Sequence, residues 1–202
     1  MSYPPPYEGG VRGGLPGFSL MEMLIVTALF SISVLIMAQT FSSFNLLHRK
    51  IANRAVLNQD ARFITEMVVR AARNNPVSYS YPYAPRESEL RLVAPTGLRI
   101  IFKQSDIGQA ECDDLPAVRC LLLSTDGGAS WTPVSGKNIS VERFDVYVRP
   151  SVSPFELING AYQNDVQPFV TFGLSLRYMA NTQKEQETLQ VQTTVSSRVY
   201  LR

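Results

Sequence analysis

The chain has 202 residues, of which 45% are hydrophobic and 18% charged, with a formal net charge of +2. That length supports one modest domain plus a stalk, and so small a charge does not by itself imply a nucleic-acid partner. The single histidine, His48, lies at the edge of the longest apolar run. The remainder therefore lacks the imidazole that a Ser-His-Asp triad, a Cys-His pair or a His-rich metal site requires, and neither an enzyme nor a cofactor or metal is expected.

Residues 1–17 contain Pro4-Pro5-Pro6, scattered glycines, Glu8 and one base, Arg12. This composition predicts no packed structure. Next comes an apolar stretch in which Glu22 is the only charged residue between Phe18 and Leu47. An ionised carboxylate inside an apolar span costs about 2.5–3.5 kcal/mol on insertion scales, so such an acid marks a functional site that needs a partner. The sequence offers Glu22 no nearby cation. Met23 to Met37 has the length of a signal-peptide core, with Ala38 as a small residue for cleavage, and a plain signal anchor is a further alternative. Against the signal peptide, position 36 is Ile and the helical pattern continues through Phe41 or Phe44, reaching the roughly 20 residues that span a bilayer core.

Gly17-Phe18-Ser19-Leu20-Met21-Glu22, opening this run, resembles the processing site of type IV prepilins and type II secretion pseudopilins. The resemblance implies that residues 1–17 are a leader, and that a prepilin peptidase in the inner membrane cuts after Gly17 and N-methylates Phe18. It also implies that Glu22 pairs with the N-terminus of a neighbouring subunit during assembly. Two opposite charges from different chains make a buried acid tolerable and select register and partner more than they add stability. Where the major pilins of the family commonly carry Pro, this sequence has Gln39. That points to a minor pilin or a pseudopilin. His48, Arg49, Lys50 and Arg54 follow the span, and charge bias alone would keep that side in the cytoplasm. The resemblance implies the opposite: a single-pass inner-membrane protein with its C-terminal part outside the cytoplasm, later a filament subunit.

Residues 18–44 thus form a transmembrane and assembly helix, and 45–75 continue it as an amphipathic helix. Leu57, Ala61, Ile64, Val68 and Ala71 make its apolar stripe, while Arg62, Glu66, Arg70 and Arg73 line another face, either solvated or in lateral contact with filament neighbours. Asn74-Asn75-Pro76 should stop the helix, with Asn in a left-handed cap. Leu57-Asn58-Gln59-Asp60-Ala61-Arg62-Phe63, followed by Val69-Arg70-Ala71-Ala72-Arg73, resembles the amphipathic helix of larger minor pilins and J-type pseudopilins.

After Pro76 the pattern changes to alternation. Strands are expected at Leu90-Val93, Leu98-Phe102, Val118-Ser124, Ser130-Val134, Ile139-Val148, Val170-Tyr178 and Leu189-Val195, with connections at Asn159-Gly160 and Ala180-Glu187. The predicted fold class is α+β, with a long N-terminal helix packed by its stripe on an antiparallel β-sheet head over 76–202.

Within the head, Ser124-Thr125-Asp126-Gly127-Gly128-Ala129-Ser130-Trp131 resembles an Asp-box hairpin, read either as a structural turn or as a sugar-contacting loop. Glu111, Asp113, Asp114 and Asp126 offer oxygens for calcium but lack EF-hand spacing. Cys112 and Cys120, the only cysteines, form either a disulfide in an oxidising compartment or two free thiols. Arg86, Arg91, Arg99 and Lys103, with Tyr79, Tyr81 and Tyr83, suggest an alternative role as a tip adhesin or DNA-capture module on the same scaffold.

Overall fold

The computed structural model describes residues 17–81, 83, 87–112, 118–158, 161–162, 166–180 and 182–198. Helix α1 runs from Leu20 to Asn74. Compact units divide the chain at Asn45/Leu46. In the first unit, the helical side chains from Leu20 through Phe44 all face outward. In the second, Leu57, Ala61, Ile64, Val68 and Ala72 are buried, an i, i+4, i+7, i+11, i+15 spacing that keeps them on one face. The buried stripe ends on Ala72 instead of Ala71, which is half-buried and packs against the margin of the core.

The helix also stops differently from expectation. Asn75 does not take the left-handed conformation; the one non-glycine residue with positive φ among those described is Asn138. Instead both the Asn75 backbone N–H and its side-chain amide donate to the Ala71 carbonyl, at 3.0 and 2.8 Å. Pro76 then prevents continuation.

Among the described residues nine strands follow: β1 Glu89–Val93, β2 Arg99–Gln104, β3 Leu121–Ser124, β4 Thr132–Pro133, β5 Ile139–Arg149, β6 Leu157–Ile158, β7 Ala161–Tyr162, β8 Phe169–Tyr178 and β9 Thr188–Ser196. They are antiparallel and form a four-stranded sheet β1-β2-β3-β4, a three-stranded sheet β5-β8-β9 and the small pair β6-β7. The fold class is α+β. The expected single sheet is thus divided, and an isolated bridge between Glu87 and Val146 links the approach to β1 with β5. The Asn159-Gly160 connection lies outside the described residues. In the Ala180-Glu187 connection, Gln183–Glu185 forms one 3-10 turn.

Both larger sheets share one core with the helix stripe. Leu90, Leu92, Phe102 and Leu121 come from the first sheet, and Val141, Phe144, Val146, Phe172, Leu174 and Leu176 from the second. Asp60 on α1 fixes the segment between β4 and β5, its carboxylate accepting the Gly136 N–H at 2.6 Å.

Candidate functional site

Gly17, Phe18 and Ser19 precede the helix, and Glu22 occupies its first turn. The Ser19 hydroxyl accepts the Glu22 N–H at 3.2 Å, and the Ser19 carbonyl accepts the N–H groups of Glu22 and Met23 at 3.1 and 3.2 Å. Ser19 is therefore the N-cap and Glu22 the third helical residue, the Ser-x-x-Glu spacing of a capping box. Hydropathy places Glu22 inside an apolar run, whereas the structure places it at the positive end of the helix dipole, where a carboxylate is favoured. This start signal is present in the sequence but is masked by the apolar letters around it. Phe18 is 72% exposed, and nothing lies within 4 Å of a Cβ placed on Gly17.

The helix beyond Glu22 is long and apolar enough to cross a membrane. Its hydroxyls suit that setting. Thr27 donates to the Met23 carbonyl, Ser31 to Thr27, Ser33 to Leu29 and Thr40 to Ile36, all within 2.8–2.9 Å. Satisfied by the turn beneath them, these groups need no water.

In the second unit Cys112 and Cys120 are joined by a disulfide, their Cα atoms 5.5 Å apart. Trp131 and Leu122 pack against it. The neighbouring β3–β4 turn is closed on itself. Ser124 Oγ donates to Asp126 Oδ1 at 2.7 Å and accepts the Gly128 N–H at 2.8 Å, while Ser130 donates to Asp126 through both its backbone and its hydroxyl. Gly127 and Gly128 supply φ values of 80° and 104°, which glycine adopts without strain. The hydrogen bonds from the Ser130 side chain, the Ser130 backbone and Ser124 hold the Asp126 carboxyl well below the ordinary carboxylate range. Each Asp126 oxygen already has a donor, which is the structural-turn reading of the Asp-box. Among the described residues no three His, Cys, Asp or Glu side chains gather to hold a metal; Asp113 and Asp114 lie outside them.

The aromatic and basic residues near β1 are likewise bound to one another. Tyr83 is buried, donating to the Arg91 carbonyl at 2.9 Å and accepting its N–H at 3.1 Å. Tyr81 meets the Tyr83 ring edge-on at 5.4 Å, and its hydroxyl donates to Glu87 at 3.1 Å. The Arg91 guanidinium stacks 4.3 Å from the Tyr81 centroid and donates to Glu89 at 2.6 Å. Arg99 is exposed and Lys103 half-exposed, while Arg86 lies outside the described residues. The constellation that suggested stacking on nucleic acid thus spends Arg91 and all three of its tyrosines inside the fold.

No protein-family model, curated protein or solved structure matches the chain.

Proposed function

We propose that the chain is a non-enzymatic filament subunit, a minor pilin or J-type pseudopilin, of a type IV pilus or a type II secretion pseudopilus. The observation that carries this reading is the run Gly17-Phe18-Ser19-Leu20-Met21-Glu22 at the start of an outward-facing apolar helix, continuing in sequence into the core helix of an α+β domain. In this reading a prepilin peptidase cuts after Gly17, Phe18 is N-methylated, and Glu22 accepts an ion pair from the N-terminus of a neighbouring subunit as the helix leaves the bilayer. A carboxylate in an apolar layer becomes tolerable when a second chain brings the cation.

Three further features support it. The Cys112–Cys120 disulfide suits an oxidising compartment beyond the inner membrane. Arg49 and Lys50, which follow the span, pair with Glu185 at 3.1 Å and Glu187 at 3.7 Å, which gives these bases a part in the fold separate from any influence on orientation. Arg62, Glu66, Arg70 and Arg73 are exposed, as a lateral contact face requires.

The test replaces Gly17 by Leu and Glu22 by Ala separately in the producing cell. Intact mass of the purified chain reads cleavage and methylation, and the sheared filament fraction reads incorporation. Gly17→Leu should retain residues 1–17, while Glu22→Ala should give the mature, methylated mass but little incorporation. Normal processing and incorporation in both variants would overturn the proposal.

A further inference from the structure

The outward face of the β5-β8-β9 sheet carries a cleft of about 300 Å³, at the lower end of the range of small-molecule sites. Strand register arranges its surroundings in rows across the sheet: Arg143, Ser175 and Gln190, then Asp145, Gly173 and Gln192, then Tyr147, Thr171 and Thr194. Alternate residues share a face, and the interleaved Phe144, Val146, Phe172 and Leu174 point into the core.

Gly173, at the centre, is not required by the fold. Its φ is not positive, and a Cβ there would meet no atom within 4 Å. Neither a turn nor close packing demands glycine, yet glycine inside a strand weakens it and marks a place where a ligand or another backbone comes close. A second backbone is the poorer fit, because β8 is the central strand and its main-chain groups are already committed to β5 and β9 on either side.

The walls define the chemistry of the occupant. Among the described lining residues one base, Arg143, and one acid, Asp145, lie 3.6 Å apart, and Gln190 and Gln192 carry no charge. Each amide both donates and accepts, which matches hydroxyl groups that do the same. Tyr147, 40% exposed, supplies a flat apolar surface with a polar tip. A described lining with one charge of each sign gives a phosphate or a nucleic acid little to hold.

We propose that the cleft over Gly173 binds a neutral oligosaccharide, one sugar ring lying on the glycine between Asp145 and Gln192 with Tyr147 as its apolar wall. This assignment is independent of the filament reading.

Full-length protein in detergent micelles, titrated with short oligomers of glucose, galactose and N-acetylglucosamine at up to millimolar concentration, tests it. Saturable binding of at least one of these is expected. Gly173→Val fills the cleft with a strand-favouring side chain, so the melting temperature should stay or rise while affinity falls by about tenfold or more. Gln192→Ala, an exposed position, provides a second variant and should also weaken binding. Failure of every neutral oligomer to bind, undiminished binding by either variant, or binding confined to sulfated oligosaccharides and lost with added salt would each overturn the site.

Discussion

Tyr79 and Tyr83 stand four positions apart with opposite hydroxyl environments. Tyr83 exchanges hydrogen bonds with the Arg91 backbone, whereas the Tyr79 hydroxyl is buried with no hydrogen-bond partner among the described residues. Tyr83→Phe leaves the Arg91 N–H unpaired and should cost about 1–3 kcal/mol in denaturant unfolding. Tyr79→Phe removes a hydroxyl that gains nothing from burial and should be neutral or stabilising. Burial raises both phenols, Tyr79 to about 12. Since the folded state favours the neutral form, their contribution is complete below pH 10, where the unfolded chain also keeps the proton, and is lost as pH climbs toward 12. An unfolding series across that window should show alkaline destabilisation, shallower in Tyr79→Phe. None of this is visible in the spacing of Tyr79, Tyr81 and Tyr83, which suggested stacking surfaces, because the Arg91 backbone that hydrogen-bonds Tyr83 cannot be inferred from it. At the helix start the situation differs: Gly17, Phe18 and Glu22 are legible as a motif, and Ser19 is legible as a cap once hydropathy is set aside.

Among the elements, α1 and the segment after β4 are joined by one short contact. The Asp60 carboxylate receives the Gly136 N–H, and a Cβ on Gly136 would lie 2.7 Å from an Asp60 oxygen. Asp60→Ala should cost about 1.5–3 kcal/mol, the range for hydrogen bonds to charged groups. Gly136→Ala should also destabilise by displacing the carboxylate, and the double variant should lose less than the sum of the two, a coupling measurable by a double-mutant cycle. The helix stripe was readable because spacing alone fixes which side chains share a face, and β5, β8 and β9 because alternation over nine or more residues is hard to mistake. The division into two sheets was not readable. Which strands pair is decided by the core they cover, and the Glu87–Val146 bridge joins positions far apart in the chain.

At the scale of the whole molecule, the core begins at Leu57, and none of the described residues before Leu46 contributes to it. A chain starting at Leu46 should therefore keep the fold. Its near-UV circular dichroism and melting temperature should match those of the full-length protein in detergent, and it should remain in solution without detergent. Full-length protein should need detergent or lipid, because Leu24, Ile25, Leu29, Phe30, Leu35 and Phe41 present apolar surface that water disfavours. Reduction of Cys112–Cys120 frees a short loop and should lower the stability of this domain by about 2–3 kcal/mol on the chain-entropy estimate.

Among the described residues strand β9 is an edge: it is bonded to β8 on one side, and from Thr188 to Ser196 it contains neither charge nor proline. Proteins usually blunt such an edge with lysine, proline or a bulge. Left bare, its row of main-chain donors and acceptors is a ready template, so the truncated domain should associate edge to edge as its concentration rises, and a lysine in place of Thr194 should raise the concentration at which it stays monodisperse.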